Sequence, residues 1–528
     1  MALERLSQIT ESGIKTGITL SNASVTGVLT AVNELKVGTG VTINSGIVTA
    51  TGGFVGNLTG NVSATGASTF GGSTFSDNVG IKTTSATKTL DVRGDTQVAD
   101  LYYTADYPTI RPSLDLVFDK VKRLDSRVTF TRNSTATYVG TDGLIKTAAA
   151  NEPRFDHDPV TGESLGLLIE EQRTNLFPVS GDVTNVNWTK LAVTSVTDAT
   201  VTAPDGTLGA TKVIQSNTTA QHLVGDTVAG LTLGGYYALS VFVKKGTSTG
   251  KIYFSVASFS NWVSDWQFYI DGDTGIVTNL TNVSAANFKV EQYPNGWWRL
   301  SMVAQQEPAG SGSGGFWVGF GEPGGSDISN FTGDGSSYFY VWGGQMEAGS
   351  FATSYIPTSG SAVTRSADLV SMTGTNFSSW YNQTEGTFFV ESAVARGSSY
   401  QGYVGTATTS AADGGPSYNF NSIMSDNDNS DVALNIWNGT GGSQSFISIA
   451  HPDGNMKAAG AFKNNDFAFS MNGSSVGIDT SGTIDTNQDQ LWIGRRPYTS
   501  AGWLNNSIKR VSYYPRRLNN SQLQNITL

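Results

Sequence analysis

Cysteine is absent from the 528 residues, so neither disulfides nor thiolate chemistry is available. Stability has to come from packing, bound ions or association of copies. Charge is scarce as well. Only 14% of residues are charged, Lys and Arg number 32 against 43 Asp and Glu, and the net charge is −11. No basic run occurs, which excludes neutralisation of phosphates by a Lys/Arg face and with it nucleic acid as a partner. The three histidines, His157, His222 and His451, lack the spacing of metal ligands. No apolar run reaches the roughly 18 residues of a membrane span, so membrane insertion is not expected. The start, MALERLSQITES, carries charges with no apolar core behind it, unlike a signal peptide.

What is abundant points to strands and turns. The chain has 62 Gly, 25 Phe, 19 Tyr and 11 Trp, with Ser, Thr and Asn throughout, a composition that suits sheets better than surface helices. At a prior of roughly 150 residues per domain, three or four units are expected. Residues 1–37 combine a short helical start (Leu3, Leu6, Ile9) with a polar segment, read as an attachment end or else a loose tail. Residues 38–100 turn glycine-rich, with Gly56-Asn57-Leu58-Thr59 followed by Gly60-Asn61-Val62-Ser63. One apolar residue in four cannot offset roughly 1–2 kcal/mol of backbone entropy per residue in a lone chain. Three parallel copies sharing Phe54, Leu58, Val62, Phe70, Phe75 and Val79 along an axis can, so an intertwined trimeric β stalk is expected, with a flexible linker as the alternative.

Residues 101–178 read as a β-rich connector of short strands cut by Gly143, Pro153, Pro159 and Gly162, led by the alternating Leu114, Leu116 and Phe118. Residues 179–365 place strands at regular intervals, among them YYALSVFVKK, KIYFSVASF, GWWRLSMVAQQ, GGFWVGFGE and SYFYVWGGQMEAG, the spacing of an antiparallel sandwich. In GWWRLSM, Trp298, Leu300 and Met302 share one face and Trp297, Arg299 and Ser301 the other. Residues 366–528 repeat the pattern with GTFFVESAVA, DVALNIWNG, AAGAFKNNDFAFSMNG, QLWIGRR and SIKRVSYYPRRL.

Several motifs carry a resemblance. R-x-T-F-T-R-x-S-T-A-T-Y-V (Arg127 to Val139), P-R-F-D-H-D-P (Pro153 to Pro159) and L-G-L-L-I-E-E-Q-R-T-N-L (Leu165 to Leu176) are similar to a module of tail fibres of tailed bacteriophages, particularly those infecting marine cyanobacteria. The stalk phrase VGIKTTSATKTLDVRGDT is similar to phage-fibre stalk segments. The unit ending in Trp342 to Thr358 resembles the jelly-roll carbohydrate-binding modules of such fibres. The last unit resembles a concanavalin A-like or laminin-G-like lectin sandwich, through Phe467 to Gly473, Leu491 to Gly494 and the terminal N-x-S-I-K-R-V-x-Y-Y-P-R-R-L.

Catalytic patterns are thin. Gly162-Glu163-Ser164-Leu165-Gly166 and Gly246-Thr247-Ser248-Thr249-Gly250 fit G-x-S-x-G, but neither has the following helix that a nucleophile elbow requires, and the second reads as a hairpin turn. His157, between Asp156 and Asp158, reads as a turn histidine. Glu170 and Glu171 are adjacent, so in an extended chain they face opposite ways and cannot flank one sugar. No cofactor is required. Calcium is left open: Asp271 and Asp273 of Asp271-Gly272-Asp273-Thr274-Gly275, read first as a plain hairpin, and Asp426 and Asp428 of Asp426-Asn427-Asp428-Asn429-Ser430-Asp431, read first as a solvated loop, supply carboxylates without a complete loop motif. A sugar site needs an aromatic face beside planar polar groups. The candidates are Trp262, Trp297 beside Arg299, Trp437 before Asn438, and Trp503, although a core or interface placement is the leading reading of each.

The expected molecule is therefore an all-β, elongated homotrimeric fibre: an intertwined β stalk followed by two antiparallel β-sandwich domains, jelly-roll and concanavalin A-like. The resemblance implies a non-enzymatic virion fibre, made in the host cytoplasm and attached to other virion proteins through its N-terminus, that adheres to host cell-surface glycan. The alternatives are a purely architectural fibre or decoration protein and a capsular polysaccharide depolymerase.

Overall fold

The computed structural model describes Val79–Ile81, Leu90–Val92 and residues 111–528 apart from 249, 258, 285–286, 323–329, 398–399, 409–418, 427–428, 440–441, 451–453 and 498–500. The expected attachment segment, nearly all of the expected stalk, Asp428 and His451 lie outside the described residues. The two short strands Val79–Ile81 and Leu90–Val92 pair in parallel and belong to a unit of their own, residues 1–99.

The larger unit is all-β and built from antiparallel sheets. The middle sandwich has two six-stranded sheets. One runs, in spatial order, Thr189–Leu191, Leu223–Ala229, Ser313–Phe320, Ile252–Ala257, Gln267–Ile270 and Val277–Thr281. The other runs Val193–Thr202, Leu208–Gln215, Tyr338–Ala348, Tyr236–Lys245, Trp297–Gln305 and Phe288–Tyr293. Alternation decides what each sheet buries. Trp298, Leu300 and Met302 point into the core between the sheets with Val241, Phe254, Phe316 and Val341. Tyr236–Lys245 and Ile252–Ala257 belong to different sheets, so residues 246–250 carry the chain across the sandwich and are not the hairpin turn expected of them.

The C-terminal sandwich pairs a seven-stranded with an eight-stranded sheet. Its strands come from both ends of the unit. Thr129–Thr131 edges the smaller sheet beside Leu369–Thr373. Leu114–Val117 and Ser164–Ile169 both pair with Asn506–Tyr514, and Arg154–His157 pairs with Ser164–Ile169. Leu114, Leu116, Leu167 and Ile169 accordingly share a core with Phe388, Val404, Leu434 and Tyr513. Phe118 is buried there too, although it opens the short helix Phe118–Val121 and does not continue the strand. The chain closes with the helix Asn520–Thr527. Asn519 and Gln522 cap its start reciprocally, and Leu523 is buried with Ala459 and Ala461.

In sequence, the middle sandwich is thus an insertion within the C-terminal one. Arg173–Asn175 leads into it, Val363–Arg365 leads out, and the two pair antiparallel as a neck, Arg173 opposite Arg365 and Asn175 opposite Val363. The hairpin Ala136–Val139 and Ile145–Ala148, also from before the insertion, packs over the outer face of the middle sandwich: Val139 and Ile145 join Phe242, Tyr293, Trp297, Trp342 and Tyr355 in one cluster.

Candidate functional site

The neck is held by buried charge. Arg132, Arg154, Arg365, Glu170 and Asp368 are all at most 4% exposed. Asp368 pairs with Arg132 at 3.0 Å and with Arg154, and it accepts the Glu170 backbone amide at 2.9 Å. Glu170 pairs with Arg154 at 2.8 Å and Arg365 at 2.9 Å, and accepts both the amide and the hydroxyl of Ser354. Burial disfavours the Glu170 carboxylate, yet the charges of Arg365 and Arg154, with the Ser354 hydrogen bonds, outweigh it and hold its pKa well below the usual range. Beside this network Glu347, itself buried, accepts the amide and hydroxyl of Thr353 and a hydrogen bond from Gln345. Residues from Arg127–Val139, Pro153–Pro159, Leu165–Leu176 and Trp342–Thr358 therefore meet at one place, where lone buried charges would be costly without partners.

A cleft of about 150 Å³ lies against the network, at the junction of hairpin, middle sandwich and C-terminal sandwich. By volume it holds about five waters, on the order of one monosaccharide ring. Aromatic rings of Phe242, Tyr293 and Tyr355 line it together with Asp156, Lys289, Glu291, Arg299, Arg396, Asn505 and Asn506. The strand Arg154–His157 places Asp156 so that its Oδ1 accepts the Val139 amide at 2.7 Å, while His157 Nδ1 donates to the Val139 carbonyl at 3.0 Å. His157 is 4% exposed and its Nε2 has no partner, so it is a buried strand residue gripping the hairpin and not the turn histidine expected. Burial pushes the Asp156 carboxyl up to about 6. Burial acts on Glu291 in the same sense, but Lys289 at 2.6 Å and the charge of Arg299 prevail and lower it. One cleft thus holds two carboxyls displaced in opposite directions. Burial also raises the Tyr293 phenol.

Glu170 lines this cleft, and its neighbour Glu171 lines a second, open groove of about 400 Å³ with Arg173, Phe351, Gln401 and Arg496. The opposed directions expected of the two glutamates hold. Asn505 separates the two hollows: its Oδ1 accepts the Glu171 amide at 2.8 Å and its Nδ2 donates to the Arg396 carbonyl at 2.9 Å.

The tryptophan candidates fare unevenly. Trp262 is 3% exposed in the middle core and donates to Ala257 O at 2.7 Å. Trp297 is fully buried under the hairpin and donates to Thr202 O at 2.9 Å. Neither presents a face to a ligand: for these two the core placement holds, and the site role is not supported. The reason is the second layer: strand Trp297–Gln305 has the core on one side and the hairpin cluster covering Trp297 on the other. Arg299, 8% exposed, is also covered, but it lines the cleft and donates to Thr353 O at 2.7 Å. Trp437 is half-buried and stacks on Phe420 with ring planes 7° apart, and Asn438 ends its strand. Trp503 is half-buried, donates to Asp368 O at 2.9 Å, and has the Arg495 guanidinium over its ring at 5.5 Å. It lines a shallow hollow of about 250 Å³ with Asn133, Gln172 and Arg495. The four tryptophans do not form one site.

Asp271 accepts the amides of Asp273 and Thr274 in the turn between Gln267–Ile270 and Val277–Thr281, and Asp273 pairs with Lys245. Asp426 likewise accepts the amides of Ser430 and Asp431. Among the described residues no group of three or more His, Asp or Glu is placed to hold a metal ion, and no helix is long and apolar enough to cross a membrane.

No protein-family model and no curated protein matches the chain. Among solved structures it is similar to Ruminococcus gnavus IT-sialidase CBM40, at 13% identity over 29% of this chain and 88% of that one, with a TM-score of 0.25. It is similar also to Trypanosoma rangeli sialidase in complex with the inhibitor DANA, at 9% identity and a TM-score of 0.23, spanning 60% of each chain. Mouse laminin alpha1 chain domains LG4-5 match at 10% identity over 58% of this chain and 92% of that one, with a TM-score of 0.19. TM-scores this low carry no argument about fold or function, and the all-β assignment rests on the strands themselves.

Proposed function

We propose that the chain is a non-enzymatic virion fibre protein, acting as a homotrimer, that attaches to other virion components through its N-terminal segment and adheres to host-surface glycan. The observation that carries the glycan reading is the junction cleft, where aromatic rings, three carboxyls, Arg299 and two asparagines surround a volume suited to one sugar ring. Weak single contacts multiplied over three copies give avidity. The fibre and trimer parts rest on the resemblance of the motifs and on the apolar poverty of residues 38–100. The test uses the full chain, because residues 366–528 alone lack the strands Leu114–Val117, Thr129–Thr131, Arg154–His157 and Ser164–Ile169. Light scattering should give a trimer, and binding to host cells should fall at least tenfold in Asn506→Ala with folding intact. Unchanged cell binding would favour an architectural fibre or decoration protein.

One observation favours a depolymerase as a second reading: a carboxyl at about 6 (Asp156) and a carboxylate held low (Glu291) share the cleft, the division of roles glycoside hydrolysis uses. Release of reducing ends from host polysaccharide, abolished in both Asp156→Asn and Glu291→Gln, would establish it and displace the non-enzymatic reading.

A further inference from the structure

We propose that the open groove on the Glu171 side of the neck is a second saccharide subsite that takes the carboxylate of an acidic sugar. For the ligand's being a sugar the inference rests on the glycan reading above; for its charge it rests on the groove. The groove's two cationic groups are Arg173 and Arg496, against the single carboxylate of Glu171.

Arg173 is 7% exposed, its Nη2 pairs with Glu171 at 2.6 Å, and its Nε and Nη1 have no acceptor. A guanidinium with one nitrogen paired and the others unmet is a fork short of a carboxylate, the group its planar geometry binds bidentately. The ring of Phe351 lies 4.7 Å from the Arg173 guanidinium, and that of Tyr400 lies 4.8 Å from Arg496, so both cations are backed by aromatic faces. The backbone is shaped around these groups. A Cβ on Gly349, whose φ is +140°, would fall 1.5 Å from Arg173 Nη1, and one on Gly502, whose φ is +70°, would fall 2.2 Å from Arg496 Cδ. Both glycines line the same groove. The other neck arginines are more fully met: Arg132 donates to Ser134, Ala149 and Asp368, and Arg154 and Arg365 each leave Nε alone without an acceptor, against two nitrogens on Arg173.

The test is saturation-transfer NMR on the full chain with sodium glucuronate, glucose and sodium acetate. The first two differ at C6 alone, and the third carries the carboxylate without the ring. Glucuronate should bind in a salt-sensitive way, with glucose failing to compete and acetate competing at least tenfold less well. Arg496→Met, a half-buried residue outside the neck, should weaken glucuronate at least tenfold, and Arg173→Met should do the same if it folds. Glucuronate binding that is unchanged in Arg496→Met, or absent from the wild-type chain, overturns the subsite. Acetate competing equally overturns its saccharide character. Glucose binding lost in Asn506→Ala but intact in Arg496→Met reports on the junction cleft, so the glycan reading and the acidic subsite can fail separately.

Discussion

Replacing Asp368 by Asn should be among the most damaging single-atom-scale changes in the molecule. The neck network contains three arginines and two carboxylates, a balance of +1, and the substitution makes it +2 with no exposed member to relax into solvent. Asp368 makes two ion pairs, with Arg132 and Arg154. At an effective dielectric of ~20, each is worth about 4–5 kcal/mol. Against that gross loss stands the desolvation that a buried carboxylate no longer suffers, several kcal/mol. The net expectation is about 3–5 kcal/mol, a large share of the roughly 5–15 kcal/mol by which a native body exceeds its unfolded chain. Asn keeps an oxygen for the Glu170 amide, so shape is preserved and charge is what changes.

Urea unfolding of the full chain, followed by tryptophan fluorescence, measures this directly, because Trp503 donates to the Asp368 carbonyl and Trp297 and Trp342 lie under the hairpin. The sharper measurement is the double substitution Arg132→Gln with Asp368→Asn, which returns the balance to +1. It should be less damaging than the sum of the singles by at least about 1 kcal/mol, a coupling that only interacting sites show. A cost below about 1 kcal/mol for Asp368→Asn, or strict additivity with Arg132→Gln, would refute the electrostatic account of the neck.

Three further outcomes follow from buried groups. Asp226 is 5% exposed, has one carboxyl oxygen without a partner, and is pushed by burial up to about 6. Its folded pKa exceeds the unfolded value near 4, so its charge burdens the fold increasingly as pH rises from about 4 to 6. Asp226→Asn should therefore stabilise at pH 7 by about 1–3 kcal/mol and flatten that part of a stability–pH curve. Glu170 has the opposite sign: its pKa is depressed on folding, so its contribution is complete above about pH 4.3 and fades as pH falls below that, and Glu170→Gln should lose the corresponding acid sensitivity in urea titrations. Trp297→Ala should lower stability by about 3–5 kcal/mol through its cavity, with glucuronate binding intact; loss of binding at unchanged stability would restore it as a ligand contact.

Most strands were legible from alternation, since period-two patterns such as those around Trp298, Leu300 and Met302 report directly which residues meet between sheets. What alternation cannot report is which sheet a strand joins. Tyr236–Lys245 and Ile252–Ala257 are adjacent in sequence and lie in different sheets, and Leu114–Val117 finds its partner about 400 residues away in Asn506–Tyr514. The burial of Trp297 has a physical signal in the sequence: YYALSVFV and WWRLSMVA are apolar at most positions, which implies cover on both faces. Arg299 beside Trp297 suggested solvent because arginine is usually exposed, yet its guanidinium is buried, donates to Thr353 and Ser240, and lies near Phe242. Of the groups in the two hollows, only Arg299 was named as a site residue beforehand. Asp156, Glu291, Arg396 and Asn505 come from four separate segments, and no local spacing announces a place assembled across such distances in sequence.

The insertion explains why the motifs that meet at the neck are polar where a core would be greasy. Two sandwiches joined through two strands of three residues each are held further by the hairpin's apolar cluster on Phe242, Tyr293 and Trp297. Hydrophobic contact is non-directional, however, so it resists sliding poorly. A guanidinium–carboxylate fork resists it well, because its hydrogen bonds weaken steeply with distance and angle. Arg154 reaches Glu170, Asp368, Ser354 and Thr137 O at once, tying the pre-insertion strand, the neck, the exit from the middle sandwich and the hairpin to one side chain. The same fixity keeps Glu291 and Arg299 of the middle sandwich facing Asp156, Arg396 and Asn506 of the other body. A site built from two bodies needs their relative angle held within a fraction of an ångström of the ligand's shape. The buried charges of the neck are therefore what makes a composite cleft physically reasonable, and substitutions there should disturb ligand affinity in proportion to the angle they release.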